Sequence, residues 1–182
     1  MNLTVEGFML RAPEPDDIPM LYSYRNDPEV ASALGGFSYR LSMQDVSEWV
    51  DFHRKRPNEC VWVITEASDR KCVGHVGLYE IDNRVRKAEF AICIGEKTLW
   101  GKGLGARCTK AVLDYGFRQL NLHRIDLSLL ETNSRALCLY EKIGFRREGV
   151  LRDAQFRDGR YVNVILMAIF EENWARAGRE QS

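Results

Sequence analysis

The chain has 182 residues, 45% of them apolar and only five of them proline, which suits one domain with a sizeable core and leaves little for a second. Lysine plus arginine equal aspartate plus glutamate at 26 each, so there is no general basic footprint for nucleic acid or a membrane surface. The five cysteines stand singly, without C-x-x-C pairs or histidines at zinc spacing, which argues against a metal site and for small buried residues in a reducing compartment.

In chain order, residues 8–11 read as a short strand ended by Pro13 and Pro15. Asp16 and Asp17 then cap a helix with Pro19 in its first turn and Met20, Leu21 and Tyr24 on its buried face. Asn26-Asp27-Pro28 breaks that helix, and Gly35-Gly36 marks a flexible loop. Ser42 with Asp45 opens a second helix, whose apolar stripe is Val46, Trp49, Val50 and His53 and which Pro57 stops. Residues 60–66 and 73–81 form a hairpin about Ser68-Asp69-Arg70, and Asp82-Asn83-Arg84 turns into a strand at 88–94. A helix over 108–120, a strand at 125–129, a helix from Asn133 to the stop at Gly144, and strands at 149–157 and 161–170 complete a mixed α/β domain. The domain is expected over 1–175, with 176–182 a polar tail that frays. Residues 1–12 lack the apolar core of a signal peptide, and no run reaches the roughly 18 apolar residues of a membrane span, so a cytoplasmic location is expected.

The chemistry starts at W-G-K-G-L-G-A-R, residues 100–107, between a β-prone run and a helical pattern. Strand, glycine turn and helix start make an anion site, because glycine admits a close backbone approach and the first N–H groups of a helix point outward unsatisfied. A Walker loop would need Gly-Lys-Ser/Thr, and a Rossmann turn would need G-x-G-x-x-G. Gly101, Gly103 and Gly105 offer neither, and a pyrophosphate on another carrier is expected. The second half of the signal is N-S-R-A-L-C-L-Y-E-K-I-G-F, residues 133–145, a helix with an asparagine at its start and Tyr140 within it.

Together these segments resemble the GNAT superfamily of acetyl-CoA-dependent N-acetyltransferases. Residues 87–170 are similar to the spermidine N-acetyltransferases and to the bacterial enzymes that acetylate N-terminal alanines of ribosomal proteins. The resemblance implies a single GNAT-like domain with a mostly antiparallel central sheet, splayed middle strands and flanking helices. It implies acetyl-CoA as co-substrate, without a metal, and an amine acceptor as partner; nucleic acid and membrane are not expected partners, and homo-oligomerisation is left open. Pantetheine would pair with the strand backbone at Ala91, Ile92, Cys93 and Ile94. The pyrophosphate would meet the amides of Lys102, Gly103, Leu104, Gly105 and Ala106, with Arg107 as a nearby cation. Where the family pattern begins with Gln or Arg, this chain has Trp100.

Acetyl transfer from a thioester to an amine needs a base for the amine, a donor for the oxyanion and an acid for the leaving thiolate. Tyr140 is the expected acid, and the alternative for it is a core tyrosine on an amphipathic helix. Asn133 reads as a helix cap and, by resemblance, as a contact to the pantetheine arm. Glu89 is the expected base, with solvated strand carboxylate as its plain alternative. His75 is the other candidate base, with packing the stronger reading; His123 falls in a turn, and His53 lines the second helix. By resemblance the acceptor lies near Tyr22, Arg25, Asn26, residues 35–37, Trp49, Tyr79 and Phe156. The spermidine enzymes carry an acid-rich stretch around their first two helices. This chain has Arg40 and then His53-Arg54-Lys55-Arg56, which disfavours a polyamine and leaves a protein N-terminus and a small amine, amino sugar or antibiotic nearly tied. The competing readings are a polyamine acetyltransferase and an acyl-CoA-binding module without turnover.

Overall fold

Each apolar run expected as a strand forms one, and they join in a single eight-stranded sheet. The computed structural model describes residues 1–34 and 40–179. Its strands are β1 (Leu3–Val5), β2 (Phe8–Arg11), β3 (Cys60–Glu66), β4 (Cys72–Asp82), β5 (Lys87–Ile94), β6 (Arg124–Leu130), β7 (Arg146–Arg157) and β8 (Arg160–Phe170), ordered β1-β2-β3-β4-β5-β6-β8-β7. All neighbours are antiparallel except β5 and β6, which are parallel and register only at Lys87↔Arg124, Ala88↔Ile125 and Glu89↔Asp126. Beyond Glu89 the two strands part, as expected of splayed middle strands.

The helices are α1 (Ile18–Asn26), α2 (Pro28–Ala33), α3 (Met43–Lys55), α4 (Leu104–Arg118), α5 (Ser134–Ile143) and α6 (Glu171–Arg179). Side chains alternate between the two faces of a strand, so the sheet has two distinct layers on it. On one face Val76, Leu78, Phe90 and Ile125 pack with Leu104, Cys108, Val112 and Leu113 of α4 and with Tyr140 and Ile143 of α5. On the other, Val63 and Cys72 pack with Leu21 of α1 and with Val46 and Val50 of α3.

Several elements differ from expectation; among them, Asp17 makes no cap hydrogen bond to α1 and instead pairs with Arg11 and accepts from the Glu14 N–H. Asn26-Asp27-Pro28 does end α1, but it also starts α2: the Asp27 carboxylate accepts from the N–H groups of Glu29 and Val30, and Pro28 takes the first helical position. β1 pairs with β2 through Leu3↔Leu10 to Val5↔Phe8, a three-residue strand too short to show periodicity. α6 follows β8 without a break and continues to Arg179, with its Trp174 beside Phe117. The expected loop at Gly35-Gly36 and the neighbouring Phe37 lie outside the described residues.

Candidate functional site

The expected co-substrate side lies where β5 leaves β6. α4 begins at Leu104, earlier than its apolar stripe suggests, on Gly103 in the left-handed region (φ 80°) with no side chain capping the first turn. The Arg107 N–H closes the first intrahelical bond, to the Gly103 carbonyl at 3.1 Å, so Leu104, Gly105 and Ala106 hold their N–H groups outward. Lys102 differs from the other expected donors, because its N–H is turned to the Leu99 carbonyl at 3.4 Å. Arg107 folds back over this turn, one guanidinium nitrogen 3.3 Å from the Lys102 carbonyl, and its buried Nε has no partner among the described residues. A Cβ at Gly105 would make only ordinary contact with Leu139, so the fold itself does not require glycine there. A backbone kept bare for something outside the chain is what an anion cradle needs.

Trp100 has a use that the sequence did not suggest. Its indole N–H donates to the Ile94 carbonyl at 2.7 Å, and the Arg135 guanidinium lies over its ring at 4.9 Å. It therefore ties the end of β5 to the glycine turn and to α5.

Ala91 is exposed, Ile92 and Ile94 are half-buried, and Cys93 is buried, along the part of β5 that has left β6. Tyr140 is buried, its ring edge-on to Phe90 of β5 and to Phe145. Burial pushes its phenol pKa up, so it stays protonated at neutral pH. Asn133 caps α5 by accepting from the Ala136 N–H at 3.1 Å, and its amide nitrogen donates to the Ala33 carbonyl at 3.1 Å. The start of α5 is thereby tied to the end of α2.

The opposite face of the same strands carries several of the residues expected at the acceptor. The register pairs His75↔Cys93, Gly77↔Ala91 and Tyr79↔Glu89 put these six residues on one face, with α1 and α3 over them. Glu89 sits at the last β5–β6 pair, opposite Asp126, where the strands begin to part. Glu89 is exposed at its surface, and partial desolvation, then the nearby Asp126 and Glu80, raise its pKa from the ordinary carboxylate value. His75 is buried edge-on to Trp49, and burial, with Arg25 and His53 nearby, lowers its pKa to about 3. A histidine so reluctant to take a proton is a poor base, which accords with the packing reading. His53 stacks on Trp49 and Tyr79 and pairs with Glu59, while exposed His123 precedes β6, as expected of a turn residue.

Of the residues expected at the acceptor, Arg25, Trp49 and Tyr79 come together and three others do not join them. The Asn26 side chain is occupied with the chain at Leu41, accepting from its N–H at 3.0 Å and donating to its carbonyl at 3.1 Å. Phe156 is an exposed residue near the β7–β8 turn, stacked on Tyr161, and Tyr22 is exposed on α1. In the basic run after His53, Arg56 is matched by Glu59 at 3.1 Å.

Comparison with known proteins agrees with this geometry. Residues 8–146 match the model of the acetyltransferase (GNAT) domain. The chain is 33% identical over 165 residues to the spermidine N(1)-acetyltransferase of Escherichia coli, covering 91% of this chain and 87% of that one. It is 28% identical over 177 residues to an uncharacterized N-acetyltransferase, p20, of Bacillus licheniformis, covering 96% and 98%. Among solved structures it superposes on the spermidine N-acetyltransferase of Vibrio cholerae, solved in complex with CoA and spermine, with a TM-score of 0.85 and 32% identity over 93% of this chain and 99% of that one. The chain belongs to the GNAT family and is an acyltransferase of the N-acetyltransferase class. None of its described helices is long and apolar enough to cross a membrane, and the described residues hold no metal-binding cluster.

Proposed function

We propose that the protein transfers acetyl from acetyl-CoA to a primary amine by direct attack within a ternary complex. Carrying this reading is the coincidence, at one point of one strand, of the β5–β6 divergence, a carboxylate on one face and a tyrosine on the other. The residues fit the co-substrate: the N–H groups of Gly103, Leu104, Gly105 and Ala106 with Arg107 would hold its pyrophosphate, and the backbone of Ala91, Ile92, Cys93 and Ile94 its pantetheine arm. When bound it supplies an activated acetyl thioester. Glu89, with its raised pKa, takes the proton of the incoming ammonium, directly or through water. Tyr140 donates toward the departing thiolate, whose conjugate thiol has a pKa near 8.5 by analogy with cysteine. No protein nucleophile is required, and the buried thiol of Cys93, its pKa raised to about 12, is unsuited to be one.

A second reading, acetylation of a polyamine, is favoured by the likeness to the E. coli and V. cholerae spermidine enzymes. Against it stands the acceptor face, where Arg25 is the charged group over Trp49. The test is release of free thiol from acetyl-CoA across a panel of amines that includes spermidine and spermine. The expected result is turnover with a non-polyamine primary amine and kcat/KM at least about 100-fold lower for the polyamines, a gap of roughly 2.7 kcal/mol. Efficient polyamine turnover would establish the second reading, and binding without turnover for every amine would overturn both.

A further inference from the structure

Four of the partly or fully buried arginines pair with a carboxylate. Arg11 meets Asp17 at 2.8 Å, Arg56 meets Glu59, Arg86 meets Glu171 at 3.1 Å, and Arg124 meets both Asp126 and Glu148. Arg25 and Arg107, both partly buried, have no carboxylate partner among the described residues. For Arg107 the proposed counter-charge is the pyrophosphate of the co-substrate. Arg25 stands on the other face of the sheet, where the acceptor enters.

The fold holds Arg25 firmly in that position. The ring of Tyr24, the residue before it, presses on Gly95 so closely that a Cβ there would fall 2.0 Å from the ring, and the Tyr24 hydroxyl donates to the Cys72 carbonyl at 3.1 Å. α1 is thus locked to the ends of β4 and β5. The guanidinium lies 4.6 Å above the Trp49 ring, itself edge-on to His75. The titratable groups that act on Arg25 directly are neutral at pH 7: the Cys93 thiol with its pKa raised to about 12 and the Tyr79 phenol, pushed up by burial, as is His75 beside it with its pKa of about 3; the carboxylates of this face, Glu59 and Glu89, lie beyond Tyr79. Desolvation also lowers the pKa of Arg25, the expected mark of a cation kept from water without a counter-ion.

We infer that Arg25 is a specificity residue and that the acceptor amine carries a carboxylate, which Arg25 pairs while Trp49 holds the guanidinium plane. A single cation whose immediate neighbours are neutral matches a monoanion, and a planar guanidinium matches a planar carboxylate with two parallel hydrogen bonds. The shared chemistry is an amine with a carboxylate a few atoms away, as in a free amino acid or in a peptide whose acidic side chain follows its N-terminus. The inference rests on the acetyl-transfer reading for its direction and on Arg25 alone for its content.

Calorimetry with reaction products tests it without any need for turnover. N-acetyl-β-alanine and its carboxamide form one pair, and N-acetyl-Ala-Asp-amide and N-acetyl-Ala-Asn-amide the other; each is titrated into the CoA-loaded protein and into Arg25→Gln and Arg25→Lys variants. The expected result is about tenfold tighter binding of the carboxylate member of one pair, lost in Arg25→Gln and partly regained in Arg25→Lys. The pair that discriminates identifies the source of the carboxylate. Equal affinity of both members in both pairs, or discrimination that survives Arg25→Gln, overturns the inference. Arg25-dependent discrimination without turnover of any amine would sustain it and overturn the acetyl-transfer reading instead.

Discussion

Tyr140 and His75 show how burial gives two titratable side chains opposite uses. Tyr140 stays protonated and keeps a donor against β5, so Tyr140→Phe removes one hydroxyl and little packing. The expected outcome is CoA affinity within a few-fold of wild type and turnover lower by about 10- to 1000-fold, since a donor used in the transition state is worth about 2 to 4 kcal/mol. Wild-type turnover in the variant would leave Tyr140 as core packing. His75 is neutral when folded, with a pKa of about 3 against an ordinary 6.5. The unfolded chain therefore takes up a proton in that interval which the folded chain refuses, and stability falls as pH drops from about 6.5 toward 3. In urea titrations across this range, His75→Gln should lack that one-proton component of the slope. An unchanged slope would mean that His75 ionises in the folded protein.

At the scale of elements, the start of α4 separates what the fold needs from what a ligand needs. Gly103 holds a positive φ, so Gly103→Val costs about 1 to 3 kcal/mol in backbone strain besides crowding the anion. Gly105 has no such constraint, and an added Cβ meets Leu139 at an ordinary 3.7 Å. Gly105→Ala should keep the wild-type melting temperature and still weaken CoA binding several-fold by calorimetry, whereas Gly103→Val should lose both. Unchanged affinity in the two variants would remove the pyrophosphate from this turn. The same region shows what was legible in the sequence. The glycine turn and the Asn133 cap announce themselves, because each is a local backbone requirement written in one or two residue types. α2 is less legible, since an Asp before a Pro is both a stop and a start and the letters alone favour the stop. The bond from Asn133 to Ala33 spans 100 positions and no periodicity reports it.

For the molecule as a whole, strand alternation and helix periodicity were enough to give the layers, while the acceptor face depended on register. Only the pairing of β4 with β5 sets Glu89, Tyr79 and His75 on one side and Phe90 on the other. Asn26 and Phe156 differ from expectation because a side chain spent on the backbone, or set edge-on to another ring at a hairpin end, has the same letter as one that meets a substrate. The parting of β5 from β6 also has a consequence for how the protein behaves in solution. Between Phe90 and Ile94 a strand edge in the middle of the sheet faces no neighbouring strand, and a bare edge is a template for a segment of another chain. CoA in that gap would act as a guard against misassembly as well as an acetyl carrier. In light-scattering runs under mild heating, the free protein should aggregate after a shorter lag than the same concentration saturated with CoA, by more than the accompanying rise in melting temperature explains. Equal lags at matched fractions unfolded would show the edge to be protected by its narrowness alone.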